Sequence, residues 1–306
     1  MKRKIIILLL FIALCSVSGI LLRNSYVHFQ RMRVERLRLQ RRKADWQLLQ
    51  DALEDEFSYY RVEPLLIVED LNTGWQFSHN KDTAVPSASL VKVPIMVCCF
   101  DQAARGKINL DDIIALRAKH KVGGSGKLRY APNGTKTSVG KLIELMIAQS
   151  DNTATNVLID MLGFEQLNAY FKEIGLKNTN ISRMMMDFKS RAKGIENYTT
   201  VEDMAFLFKK MYEGRLISKG VSSKCIEILK KQKSRDRIPA RLPKEAVVAH
   251  KTGLEKTVCH DIGIVYTEKG NVLICALTKH KNKNSWPSKK FISNVSFLAY
   301  NYLQGG

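Results

Sequence analysis

The chain has 306 residues, 45% of them hydrophobic and 25% charged, with a formal net charge of +20. That length allows one large domain or two small ones plus a leader, and the apolar share supports a sizeable core. The basic excess favours anionic surfaces such as lipid headgroups or acidic wall polymers. Nucleic acid is not expected as a partner, because the basic run has few aromatics and no zinc-finger or RNA-binding signature.

The charge is uneven. Between Arg23 and Lys43, eight basic residues stand against one acid, Glu35, and Lys2, Arg3 and Lys4 precede them. Residues 1–22 read as a signal peptide or membrane anchor: a basic start, then an apolar run over residues 5–22 whose length lies between a signal peptide and a full span. Ser16-Val17-Ser18 before Gly19 offers a small-x-small cleavage site, whereas Leu14-Cys15 is a poor lipidation site. An uncleaved anchor is favoured over a cleaved signal, so membrane association through residues 5–22 is expected. Positive charge is denser after this run than before it, which opposes export. An extracytoplasmic location, periplasmic or cell-surface, is nevertheless expected from the chemistry below.

Residues 23–43 are expected to form a basic helical juxtamembrane segment, and 44–306 the functional domain. Trp46, Leu49, Leu53 and Phe57 are spaced to share one helical face. Leu65–Asp70 and Trp75–Ser78 flank Asn72-Thr73-Gly74 and predict a hairpin. Residues 87–104 predict a helix that Pro94 should kink or loosen. From about 105 to 230 the pattern is mostly helical, interrupted at Gly123-Gly124-Ser125-Gly126 and Pro132-Asn133-Gly134. Strands return at 246–252, 258–266 and 272–278, separated by turns at Gly253 and Gly270, and 289–303 predicts a closing helix. The fold class is therefore α+β: an antiparallel five-stranded sheet flanked by helices, with an inserted all-helical lobe and an active-site cleft between them.

The six cysteines are Cys15, Cys98, Cys99, Cys225, Cys259 and Cys275. No CxxC pair or histidine cluster accompanies them, so buried free thiols are expected rather than a metal site. No cofactor is expected, and a monomer is.

Ser-x-x-Lys alone is weak evidence, since the chain contains it at Ser78/Lys81, Ser89/Lys92, Ser138/Lys141 and Ser190/Lys193. Ser89 stands apart. It follows Pro86-Ser87, opens an apolar run, and would lie in a helix's first turn, where unpaired N–H groups favour negative charge. Lys92 falls on the same face. An alcohol is a poor nucleophile without a neighbouring base, and a lysine serves if burial and nearby positive charge lower its pKa. Ser150-Asp151-Asn152 occurs once, between two helical runs, where it could simply be an N-cap. Lys251-Thr252-Gly253 also occurs once and could simply end a strand.

Taken in order, Ser-x-x-Lys, Ser-Asp-Asn and Lys-Thr-Gly form the signature set of class A β-lactamases and penicillin-binding proteins. From about residue 44 onward the chain resembles that serine-hydrolase family. Flanking text agrees: Gly123-Gly124-Ser125-Gly126, Ala148-Gln149 through Asn156, and Val248-Ala249-His250. The resemblance implies a serine hydrolase acting on cyclic amides. Ser89 would attack a β-lactam or an acyl-D-Ala-D-Ala-type carbonyl, with Lys92 as base or relay. Ser150 would protonate the leaving nitrogen, and Asn152 would hold the substrate amide and Lys92. Lys251 and Thr252 would face the substrate carboxylate. The N–H groups of Ser89 and Leu254 would form an oxyanion hole just beyond Gly253. Arg237 would be either a second arginine for the carboxylate or an ordinary surface residue.

One departure stands out. Family members with efficient turnover carry a glutamate in a Glu-x-x-x-Asn loop that activates the deacylating water. Here the text is Ser182-Arg183-Met184-Met185-Met186-Asp187-Phe188-Lys189. Asp187 falls nearest the expected place and is preferred over Glu196 as its replacement; otherwise it is a helix cap or a loop salt bridge. Without a carboxylate at the water, acylation would proceed while deacylation stalls. The leading expectation is a β-lactamase. A peptidoglycan DD-peptidase or related amide or ester hydrolase, and a sensor that is acylated once, are the alternatives.

Overall fold

A computed structural model describes residues 2–60, 62–281 and 284–305, without the side chains of 2–4, 6–18 and 20. The chain divides into two compact units, residues 1–49 with 305–306, and Gln50–Gln304. The first unit is built on helix α1 (Lys2–Tyr59), whose last turns, from Gln50, belong to the second. Along residues 21–45 this helix is almost wholly exposed. The leader expected at residues 5–22 falls mostly on side chains outside those described, as does Cys15. Among the described residues no helix is long and apolar enough to cross a membrane.

The second unit holds a five-stranded antiparallel sheet with spatial order β2-β1-β9-β8-β7. Its strands are β1 (Glu63–Asp70), β2 (Gln76–His79), β7 (Val247–Glu255), β8 (Val258–Thr267) and β9 (Gly270–Lys279). First and last strands of the chain thus share one sheet, as the sequence predicts. Asp70 closes the β1–β2 turn by accepting the N–H of Asn72. Two short ribbons pair β3 (Val85–Pro86) with β6 (Tyr198–Thr199), and β4 (Ile113–Ala115) with β5 (Lys136–Ser138).

Between β2 and β7 lies the helical lobe. Its helices are α2 (Lys92–Ala104), α3 (Val139–Ala148), α4 (Asn152–Leu162), α5 (Phe164–Glu173), α6 (Phe188–Ala192), α7 (Val201–Tyr212) and α8 (Lys219–Lys230). One continuous core joins these helices to alternate sheet residues, among them Leu65, Ile67, Ile262, Leu273 and Cys275. Alternation of side chains along a strand sends Leu66 and Val68 to the other face. There α9 (Trp286–Gly305) anchors to β1 through the Tyr302 hydroxyl, which donates to Asp70 at 2.7 Å. Phe57, from the end of α1, stacks near Phe77, His79 and Phe291. Cys98, Cys99, Cys225, Cys259 and Cys275 are free and buried.

Two expectations need correction. Helix α2 starts at Lys92, after a 3-10 turn over Ala88–Val91, so Pro94 sits in the first helical turn rather than inside a longer helix. The N–H groups of a first turn lack intrahelical acceptors, so proline removes nothing there. Gly253 is not a turn but lies within β7, opposite His260. A Cβ on it would stand 3.3 Å from Cβ of Ala88, so its lack of a side chain lets the nucleophile segment pack on the strand.

Candidate active site

Ser89 is placed by a strained turn. Ala88 has φ +46°, a left-handed conformation unusual for a residue with a side chain. The turn is held from both sides: Ser87 N–H donates to the Asn197 carbonyl at 2.8 Å, and His260 Nε2 donates to the Pro86 carbonyl at 2.9 Å. Burial lowers His260 to about 4, so the ring is neutral and its Nδ1 is free to accept from Thr278 N–H. Lys92 N–H bonds to the Ser89 carbonyl, the i to i+3 pattern of a 3-10 turn. Side chains three apart eclipse in such a turn, which stacks Lys92 beneath Ser89 more directly than an α-helix would.

Lys92 is completely buried, and its Nζ meets three oxygens: Ser150 O at 2.7 Å, Asn152 Oδ1 at 2.8 Å and Ser150 Oγ at 3.1 Å. Desolvation lowers its pKa well below the lysine value; nearby Lys251 lowers it further and Asp151 opposes. All three oxygens accept from Nζ. Lys251 is also fully buried. Its Nζ lies 3.1 Å from the same Ser150 Oγ and 2.8 Å from the Thr252 carbonyl. Burial brings it to about 7, with Asp261 opposing and Arg237 adding to the fall.

Ser150 itself has φ +54°. Asp151 caps α4 by accepting from Ala154 N–H at 2.9 Å, as the N-cap reading of Ser-Asp-Asn allows. Its second oxygen accepts from Lys127 N–H at 2.8 Å and Leu128 N–H at 3.0 Å. Asn152 Nδ2 donates to the Gly123 carbonyl at 3.1 Å. The glycine-rich loop is thus sewn onto the Ser-Asp-Asn turn. A Cβ on Gly126 would lie 2.2 Å from Asp151 Cγ, so only glycine permits this approach.

In front of Ser89 opens a cleft of about 790 Å³. Ser89, Asn152 and Leu254 line it, and Thr252 is buried beside Lys251 on β7. Arg237 is no surface arginine. It is buried, and its Nε donates to Cys259 Sγ at 3.2 Å. It reaches Lys251 through its field and is not among the residues lining the cleft.

Asp187 is not brought to the group. It caps α6, accepting from Ser190 N–H at 3.0 Å and from the Ser190 hydroxyl at 2.6 Å, and it is not among the cleft residues. Those bonds hold its carboxyl below the usual range. Met185 lines the cleft instead, its backbone clamped on both sides by the Asn156 side chain (2.8 and 3.3 Å). Glu196 is buried against Arg183.

Sequence reasoning missed two groups. Arg183 and Arg191 bridge Glu196 to Glu255 at the end of β7. His250 Nδ1 meets Asp261 at 2.9 Å behind Lys251, and Asp261 also accepts the Ile238 N–H at 3.0 Å. The only available signal was weak: His250 precedes Lys-Thr-Gly, and Glu255 follows it by two residues. Among the described residues, no group of three or more His, Cys, Asp or Glu could hold a metal.

Known proteins match this arrangement. A family described as the β-lactamase enzyme family matches residues 48–303. Beta-lactamase VEB-1 of Pseudomonas aeruginosa is 24% identical over 242 residues, covering 73% of this chain and 79% of that protein. A crystal structure of a β-lactamase from Sphaerobacter thermophilus superposes with TM-score 0.77 at 28% identity, covering 85% of this chain and 98% of that one. A variant of PBP-A, solved as an acyl-enzyme complex with penicillin G, superposes with TM-score 0.78 at 28% identity, covering 85% and 97%. With its sheet, its helical lobe and three motifs gathered at one cleft, the chain belongs to the β-lactamase enzyme family.

Proposed function

We propose that the protein opens β-lactam rings through an acyl-enzyme on Ser89, outside the cytoplasm, and that hydrolysis of this acyl-enzyme is its slow step. The observation behind the reading is the Ser150 hydroxyl held between two buried lysines. Ser89 Oγ attacks the ring carbonyl, and its proton passes to neutral Lys92. Lys92 passes a proton to Ser150 Oγ, and the Ser150 hydroxyl proton goes to the ring nitrogen as the C–N bond breaks. Lys251 in its charged form, with Thr252, holds the substrate carboxylate. The N–H groups of Ser89 and Leu254 steady the oxyanion, a contribution typically worth 10²–10³ in rate per donor. Asn152 orients the substrate amide. Arg237 holds Lys251's surroundings positive. The apolar run at residues 5–22 supports export or anchoring.

Slow deacylation follows from the carboxylates. Asp187 is committed to its cap, Glu255 to two arginines, and Met185 brings a thioether rather than a carboxylate to the cleft. That same observation favours a second reading, in which the substrate is an acyl-D-Ala-D-Ala-type peptide and β-lactams are slowly released inhibitors. The test is the purified protein mixed with a chromogenic cephalosporin, following turnover and intact mass together. A persistent adduct on Ser89 with few turnovers is expected. Rapid turnover would remove the slow step, and no adduct at all would remove the reading.

A further inference from the structure

A side chain from inside the sheet reaches the strained turn that carries Ser89. Strand β8 lies between β9 and β7, and His260 on it stands opposite Gly253 of β7. The His260 ring is wholly buried. Its Nδ1 accepts from Thr278 N–H of β9 at 3.4 Å, and its Nε2 donates to the Pro86 carbonyl at 2.9 Å, so the ring joins the sheet to the nucleophile turn. It passes β7 at the one point where that strand has no side chain: a Cβ on Gly253 would stand 3.2 Å from His260 Cδ2 and 3.3 Å from Ala88 Cβ. Ala88, Gly253 and His260 therefore meet, one residue before Ser89 and one residue before Leu254. Those next residues carry the two N–H groups that the acylation reading assigns to the oxyanion. Ala88 at φ +46° is a conformation that persists only where its surroundings enforce it.

We propose that His260 is a positioning residue: its bond to Pro86 fixes the spacing between the Ser89 and Leu254 N–H groups, so that both reach the substrate's carbonyl oxygen together. This rests on the Ser89 acylation reading above. Without the bond, the turn at Ala88 relaxes towards ordinary backbone and Ser89 N–H turns with it. The Ser87 N–H bond to Asn197 remains, and Lys92 keeps its three oxygens on Ser150 and Asn152. The loss should therefore fall on the oxyanion and leave the proton path standing.

The test uses the full chain with His260→Leu and His260→Phe, which lack the donor, and His260→Gln, whose amide N–H extends about as far as Nε2. Each is reacted with a phenylacetyl penicillin. Rapid-quench intact mass separates the first-order acylation constant from the precovalent Kd, and infrared difference spectra read the ester carbonyl of the acyl-enzyme. Donors on a carbonyl oxygen lower its stretching frequency. Leu and Phe should slow the acylation step by about 10²-fold, the scale of a misplaced donor, while Kd changes by less than about threefold. They should also raise the ester carbonyl frequency, and Gln should bring rate and frequency back towards the wild type. Wild-type rate and frequency in the donor-free variants overturn the proposal. So does a Gln variant no better than Leu, or failure of both donor-free variants to fold, since His260 would then serve the fold and not the oxyanion. A wild type that forms no adduct overturns instead the acylation reading beneath it.

Discussion

Lys92 Nζ and Lys251 Nζ stand at the same distance, 3.1 Å, from one atom, the Ser150 hydroxyl oxygen. Two ammonium groups on one oxygen in a dry site would repel strongly, and burial has lowered both. Ser150→Ala removes the shared atom yet leaves Lys92 its bonds to the Ser150 carbonyl and Asn152, and Lys251 its bond to Thr252. The fold should therefore persist while acylation slows by about 10²–10³, the usual worth of a positioned proton donor. Rapid-quench intact mass with a β-lactam measures this; Ser89→Ala should give no adduct. An unslowed Ser150→Ala would mean that protons bypass the shared hydroxyl.

The fall of Lys251 to about 7 also makes stability depend on pH. An unfolded lysine titrates near 10.4. Between about 7 and that value the unfolded chain binds the extra proton, so stability rises with pH, by at most about 1.4 kcal/mol per unit. Below pH 7 the residue is charged in both states and contributes no slope. Lys92 adds a slope of the same sign over its own range, so the useful quantity is a difference. Urea unfolding of wild type and Lys251→Met at pH 7, 8 and 9 should show the wild type gaining on the variant with each step. A constant difference would show that Lys251 keeps its proton.

The parts of the site legible in the sequence are those fixed by local geometry. Ser89 and Lys92 share a face because they are one turn apart, and Asp151 caps α4 because aspartate accepts from a helix start. The short apolar runs around Leu65–Val68 and Ile262–Val265, set off by turn residues, gave away the sheet. Illegible were contacts made only by closure of the fold. Arg183 and Glu255 are 72 positions apart, and nothing local marks them as partners. Strands β3 and β6 have two residues each, too short for any alternation to show. Gly253 looked like a turn because glycine signals one, whereas its reason is the approach of Ala88 from a distant segment. Arg237 stayed open between a carboxylate-binding and a surface residue, because nothing local marks its burial beside Cys259.

Asp187 tests the sequence reading against the structure directly. As a water-activating base, its loss would trap the acyl-enzyme. As the cap of α6, its loss should leave the adduct's lifetime unchanged within about twofold and lower the melting temperature slightly. The second outcome is expected, since both oxygens are engaged by Ser190. Adduct decay followed by mass, beside a thermal melt of Asp187→Ala, separates the two. A markedly longer-lived adduct would restore the carboxylate to the chemistry.

Glycine at 126 is required by the turn behind the nucleophile, whereas glycine at 134 is not. Both have positive φ, +100° and +82°, so alanine at either meets backbone strain of about 1–2 kcal/mol. At 134 the added methyl group meets nothing within 4 Å. At 126 it would stand 2.2 Å from Asp151 Cγ and 2.5 Å from Asp151 Cα, so backbone must shift. That shift pulls the Lys127 and Leu128 N–H groups from the Asp151 carboxylate and displaces Ser150 and Asn152 on either side of it. Gly134→Ala should therefore lower the melting temperature modestly and acylate β-lactams at the wild-type rate. Gly126→Ala should lose more stability, by about 3 kcal/mol or more once the buried carboxylate is left short of partners, and acylate far more slowly. Equal stability losses with equal acylation rates would show that the loop is not coupled to the Ser-Asp-Asn turn.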